Sequence, residues 1–359
     1  MSEDRERARF APDELAIVLS HYDLGTIAAI EPFKRGSRKS PKVHIKSSRG
    51  EFVLKRRAPG RDDPVKVAFS HLLQNHLARK EFPLPHLIAT RRHKNSMVRY
   101  QDWIYELFVF VPGEPYSQSI IETESAGETL GLCHQCLTDY EPDYTPPLGG
   151  YHDSDAVRQA LNHVPTRLQG HDSVTGREAE LLATTQQVFE AYEAAADALR
   201  DAGIADWPEQ VVHGDWHPGN MLYRDQQVVA VIDYDSARVL PWITDLANGI
   251  LQFSIVAGDA NPDLWPDHFD DERAVAFFRG FLKNHKVDPD YLKVIPLLMQ
   301  EAIIAESALP IATIGSFGRI QGFTFLRMVK RKIQWLCDHH DEWIDNFRHV
   351  LEEQTPAEE

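Results

Sequence analysis

Val211-Val212-His213-Gly214-Asp215-Trp216-His217-Pro218-Gly219-Asn220, followed by Val231-Ile232-Asp233-Tyr234-Asp235, is the stretch on which the reading of this chain turns. Both times an apolar run leads into a polar cluster, as at a strand end, where functional side chains concentrate. Five residues separate Asp215 from Asn220, which places both on one loop. The β-prone run at 228–232 then carries Asp233 back beside that loop. Phosphoryl transfer from MgATP needs an aspartate that accepts or orients the acceptor hydroxyl. It also needs an amide or carboxylate a few residues on for one Mg²⁺, and a second carboxylate to bridge both ions. Asp215, Asn220 and Asp233 supply that set.

Upstream of the motif the chain changes character twice. Residues 26–33, 42–47 and 51–55 are short β-prone runs, and Gly50 after Arg49 predicts a tight hairpin between the second and third. Asp62-Asp63-Pro64 starts a helix in which Val65, Phe69, Leu72, Leu73 and Leu77 recur at helical spacing. Strands are expected at 86–92 and 103–111, closed by Pro112-Gly113. The result is a β-β-β-α-β-β unit, a small antiparallel sheet with one helix. Helices then dominate, at 120–137, at 177–202 and from 242 to 349, interrupted by short strands between 210 and 238. The fold class is therefore α+β, with an N-terminal segment at 1–23, a β-rich lobe at 24–112 and a helical lobe at 113–359.

The 359 residues are 43% hydrophobic and 26% charged, the balance of a soluble globular chain with a real core. The start carries no apolar run, so no secretory signal is expected, and runs such as 228–232 are too short to span a bilayer. Three cysteines make no disulfide framework, which favours a cytoplasmic home. Charge is uneven. Through Tyr100 there are 21 Lys and Arg against 11 Asp and Glu, whereas the remaining 259 residues carry a net −26. A basic first part suits nucleotide phosphate and an acidic second part suits a cationic or neutral ligand. The acidic majority argues against a nucleic-acid partner, and no membrane partner is expected. Oligomeric state is open.

Taken together, His213-Gly214-Asp215-Trp216-His217-Pro218-Gly219-Asn220 and Ile232-Asp233, 18 residues from aspartate to aspartate, resemble the paired signature of the aminoglycoside phosphotransferase and choline kinase superfamily. Those small-molecule kinases share the protein-kinase fold, and the lobe order here is similar over nearly the whole chain. The homoserine kinase-like or spore-coat-kinase-like branch is the nearest likeness. The resemblance implies ATP and Mg²⁺ as cofactors, Asp215 as catalytic base, and Asn220 and Asp233 as metal ligands. It implies that His213 and Asp245 support the catalytic loop. It also implies that Lys55, in Phe52-Val53-Leu54-Lys55, holds the α- and β-phosphates. Gly36 and Ser37 stand where the phosphate-covering loop belongs, and the main chains of Val109 and Val111 stand at the adenine hinge.

One departure bears on activity. Kinase-like proteins usually pair the strand lysine with a glutamate of the small-lobe helix, and residues 65–77 contain no acid. Asp62, Asp63 or Glu81 could serve instead, or Lys55 is held differently. The expected function is thus phosphorylation of a hydroxyl on a small metabolite, such as an amino alcohol, homoserine-like compound, sugar or aminoglycoside. The alternatives are a weak or inactive nucleotide-binding relative, and a metallohydrolase using His213, Asp215 and His217. Those three would face one side of an extended strand. Cys133, His134 and Cys136 read as buried helix residues rather than a metal site. Asp235 reads equally as a third metal ligand or a turn cap. Glu301 and Glu306 read as paired charges or as partners of a substrate ammonium.

Overall fold

The computed structural model describes residues 8–33, 39–258 and 260–354. Contacts divide the chain into two compact units that interleave in sequence. The first comprises Met1–Pro115, Asp139–Pro147 and Asn220–Ala237, and the second Tyr116–Thr138, Leu148–Gly219 and Arg238–Glu359.

The first unit is built on an antiparallel sheet. Helix α1 (Pro12–Leu19) begins at a proline and strands β1 (Ile27–Pro32), β2 (Lys42–Ser47) and β3 (Gly50–Arg56) follow. Gly50, at φ +128°, closes the expected β2–β3 hairpin, a conformation that suits glycine. Helix α2 (Pro64–Arg79) is capped by Asp63, whose carboxylate accepts the N–H groups of Val65 and Lys66. Strands β4 (Val98–Tyr100) and β5 (Trp103–Val109) complete the order β1-β2-β3-β5-β4. The strand expected at 86–92 is absent. Leu87 makes one isolated bridge to Phe108, flanked by main-chain bonds of His86 and Ile88 to β5, before the chain turns back on itself at Thr90, which bonds Asn95. The true edge strand is β4. Ile45, Leu54, Tyr105 and Leu107 face α1 in a dry core.

The second unit is mainly helical. Helices α3 (Ile120–Leu137), α4 (Asp155–Leu168) and α5 (Glu178–Asp201) lead to strand β6 (Glu209–Val212). Sequence periodicity anticipates α3 and α5, but α4 is an addition. It tolerates Pro165 near its end and buries Val157, Leu161, Val164 and Leu168. The next hairpin, β7 (Met221–Arg224) with β8 (Gln227–Val231), belongs to the first unit. Its turn residues Asp225 and Gln226 both take positive φ, the twist a two-residue hairpin requires. Strand β9 (Arg238–Pro241) returns to pair with β6.

Helices α6 (Ile243–Ser254), α7 (Asp271–Leu282) and α8 (Ile295–Ile314) follow. A short hairpin, β10 (Ser316–Phe317) with β11 (Ile320–Gln321), precedes α9 (Gly322–Asp338) and α10 (His340–Gln354). The segment Pro289–Ile314 is long and apolar enough to cross a membrane. It is nevertheless core, since 78% of its most apolar window is buried. Helices α3 and α7 pack backbone to backbone. A Cβ at Gly127 would lie 1.9 Å from the Phe277 carbonyl oxygen, and one at Gly280 would lie 2.0 Å from that of Glu124. Gly131 is similarly tight, 2.5 Å from the oxygen of Phe281.

Candidate active site

In the first unit, the β3–β5 register sets Lys55 directly across from Glu106. Cross-strand partners share a face of the sheet. Lys55 Nζ stands 3.8 Å from Glu106 Oε2 and 3.7 Å from Asp235 Oδ2. Just past the end of β3, Arg57 donates to Glu106 Oε1 (2.8 Å) and to Asp235 Oδ1 (2.7 Å). From α2, His71 Nε2 lies 2.6 Å from the same Glu106 Oε1, while its Nδ1 meets Ser96 Oγ. Glu106 is fully buried. Burial alone would raise its carboxyl, but Lys55, Arg57 and His71 outweigh it and hold the group well below the usual carboxylate range.

This arrangement identifies the partners of Lys55. Asp63 is spent on the α2 cap, Asp62 accepts the Gly60 N–H, and Glu81 lies beyond the helix at φ 61°. Asp235, read from the sequence as a third metal ligand or a turn cap, stands within reach of two cations. It is paired with both Lys55 and Arg57.

The same unit holds the hinge candidates and two metal-ligand candidates. Val109 ends β5 with its N–H donated to the His86 carbonyl. Val111 lies beyond the strand, and Glu114 then pairs with Tyr223 of β7 through two 2.8 Å main-chain bonds. Gly113 is needed there, because a Cβ would meet Leu222 Cβ at 2.9 Å. Gly36 and Ser37 lie outside the described residues.

Asn220, just before β7, accepts the Ile232 N–H at 2.9 Å just after β8, which brings Asn220 alongside Asp233. Asp233 is held at φ 67°, ψ 70°, a left-handed conformation that costs a residue with a Cβ about 1 kcal/mol. Its Oδ1 is buried with no hydrogen-bond partner among the described residues. An orphaned carboxylate oxygen, on a segment bonded to the main chain of Asn220, fits Mg²⁺, which takes one or two protein oxygens and completes its shell with phosphates and water.

In the second unit, β6 delivers His213 into a loop anchored from below. Asp245, in the first turn of α6, accepts the N–H of His213 at 2.7 Å and that of Gly214 at 2.8 Å. His134 of α3 lies 3.4 Å from Asp245 Oδ2. Asp245 and His213 are both buried. The His213 ring meets Trp216 edge-on at 5.3 Å.

Asp215 projects from this anchored loop with 39% of its side chain exposed, and His217 Nε2 lies 3.6 Å from Oδ1. His217 also accepts the Gly219 N–H at Nδ1. Residues 213–217 form a loop rather than an extended strand, so the premise of the metallohydrolase reading, three side chains on one strand face, does not hold. Cys133 and Cys136 are buried on α3, and burial followed by the charges of Asp245 and Cys136 pushes the Cys133 thiol well up.

Two acids on α8 separate in role. Glu301 is buried, where His152 (2.8 Å) and the Asp153 N–H (3.2 Å) satisfy it. Glu306 keeps open surface but is otherwise densely surrounded, and Gln252 of α6 donates to it at 2.6 Å. Lost hydration, then the negative charge of Asp215, push its carboxyl up to about 7, against a smaller pull from His217. Arg238 also faces this region. Burial lowers its guanidinium, while Asp245 and Asp215 act in the opposite direction. Neither Glu106 nor Arg238 stands out in the sequence, because only strand register and loop closure bring them to these positions.

Residues 29–296 match the phosphotransferase enzyme family. A homoserine kinase of Beijerinckia indica is 24% identical over 289 residues, 79% of this chain and 80% of that one. Stress response kinase A of Salmonella choleraesuis is 25% identical over 199 residues, 55% of this chain and 56% of its own. Among solved structures, an aminoglycoside phosphotransferase from Alicyclobacillus acidocaldarius matches with a TM-score of 0.65 at 16% identity, covering 98% of this chain and 99% of that one. At that identity the likeness shows the fold, which is the protein-kinase-like one expected from the paired motif.

Proposed function

The chain belongs to the phosphotransferase enzyme family, enzymes of the small-molecule kinase type, and from that premise we propose that it transfers the γ-phosphoryl group of ATP to the hydroxyl of a small metabolite. Asp215 accepts the hydroxyl proton as oxygen attacks phosphorus and the bond to the ADP oxygen breaks. Mg²⁺, when bound, neutralises charge developing on the phosphates. Asn220 and Asp233 hold it, and the orphaned Asp233 Oδ1 is the observation that carries this reading. Lys55 takes the α- and β-phosphates, Gly36 and Ser37 cover them, and the main chains of Val109 and Val111 receive adenine. His213 and Asp245 keep the Asp215 loop rigid. The expected setting is the cytoplasm.

The acceptor side is acidic. Glu306, in electrostatic reach of Asp215 and with open surface, suits an ammonium group on the acceptor. A homoserine kinase among the relatives supports an amino alcohol of that kind. A second reading, nucleotide binding without turnover, rests on the acid missing from α2.

One assay separates the two. Purified protein with MgATP is offered amino alcohols, homoserine, choline, ethanolamine, sugars and aminoglycosides, and ADP release is followed with Asp215→Asn as the blank. Stimulation by one compound, lost in the variant, establishes the kinase. Nucleotide binding with no stimulation by any of them favours the second reading.

A further inference from the structure

Of the acids flanking α2 in sequence, Asp63 caps the helix and Asp62 accepts the Gly60 N–H, and the helix itself contributes only His71 to the cluster. Glu106 is different in three respects. It lies across from Lys55 in a ladder that pairs residues 52–56 of β3 with 105–109 of β5. It is fully buried, so its charge must be matched from within the protein. Its two oxygens are also divided in use. Oε1 receives Arg57 and His71, while Oε2 is buried, has no hydrogen-bond partner among the described residues, and faces Lys55 Nζ at 3.8 Å.

We propose that Glu106, from strand β5, is the positioning residue for Lys55 in nucleotide binding, in place of an acid from the helix, and that Arg57 and His71 hold it in that role. The inference rests on the reading of Lys55 as the phosphate ligand. A pair made between neighbouring strands is fixed by main-chain hydrogen bonds, so no swing of α2 makes or breaks it. Arg57 also holds Asp235, the second carboxylate near Lys55, which keeps the charges balanced at two cations to two anions. His71 touches the acid rather than the lysine, so the helix braces the pair without forming it.

The test compares MgATP with adenosine, which lacks the phosphates, on the full chain by calorimetry. Glu106→Gln is expected to weaken MgATP by about 10- to 100-fold, the usual loss when an outer partner of a binding group is removed. Adenosine affinity should stay unchanged. Equal loss of both ligands would mean structural damage and overturn the proposal, as would wild-type MgATP affinity in Glu106→Gln. So would a selective MgATP loss in Asp235→Asn that Glu106→Gln does not share. Should Glu106→Gln fail to fold, Glu106→Asp decides by the same criterion. It keeps a charge for Arg57 and His71 while drawing the carboxylate back from Lys55. Wild-type protein that binds no MgATP would remove the nucleotide reading itself, and this is seen before any variant is made.

Discussion

The surroundings of Lys55 and those of Asp215 handle charge in opposite ways. Around Lys55, two cations and two carboxylates are closed into one buried network in which each acid meets both cations. Around Asp215, lost hydration and then the charge of Asp215 itself push the Glu306 carboxyl up to about 7. A paired network is preorganised, since its charges need not rearrange when a ligand arrives. An acid with a raised carboxyl, by contrast, would gain its ionised form on meeting a bound ammonium. One region is finished without its ligand. The other presents an acid whose ionised form a cationic ligand would favour.

Four expectations can break or sharpen this contrast. The largest concerns Asp233, where replacement by alanine should abolish Mg²⁺-dependent nucleotide binding, measured by titration with and without the metal. Retained Mg²⁺-dependent binding would remove it from the metal site. Next, Asp215→Ala should lower turnover by about 10²–10⁴-fold, the range for a lost positioned base. Its MgATP affinity should hold, and unchanged turnover would refute the assignment.

Third, Arg57→Met leaves Glu106 and Asp235 short of a cation. Denaturant unfolding should show about 3–5 kcal/mol lost, as for a broken buried pair. A loss no larger than for surface pairs would mean that the Lys55 network is less closed than described.

The smallest effect belongs to Glu306. Glu306→Gln should raise KM for an amine-bearing acceptor by about 10- to 100-fold, the range of a hydrogen bond to a charged group, with kcat little changed. The ionised form attracts ammonium, so in the wild type that KM should rise as pH falls through about 7. The dependence should be absent in the variant. A KM independent of pH across that window would place the amine elsewhere.

How much of this was legible in the residues depended on whether the information was local. The loop from His213 to Asn220 and the return at Asp233 are local, so spacing and a family resemblance nominate their residues without any knowledge of packing. The β2–β3 hairpin, α3 and α5 likewise follow from turn chemistry and periodicity. Strand β4 was missed because the apolar run at 86–92 looks more strand-like than Val98–Tyr100, and only competition for the edge of β5 decides between them. Helix α4 was missed because Pro165 reads as a breaker, although it sits near the helix end.

Glu106 was invisible for a different reason. Its pairing is a matter of register between strands about 50 residues apart in the chain, and register is set by packing rather than by any local motif. Glu301 and Glu306 looked equivalent because five residues on a helix turn the side chain to another face, and only the neighbours of α8 reveal which face is covered.

The glycine seam between α3 and α7 sets a dimension of the enzyme by main-chain contact. Side chains that space two helices can change rotamer, whereas carbonyl oxygens pressed against glycine Cα atoms leave no such adjustment. From that datum α3 carries His134 to Asp245, and Asp245 carries the main chain of His213 and Gly214, one residue from Asp215. The chain of parts works like a machined shim under a tool, fixing a height without touching the work. A single methyl group at Gly127 or Gly131 would therefore reach the Asp215 loop as a misalignment.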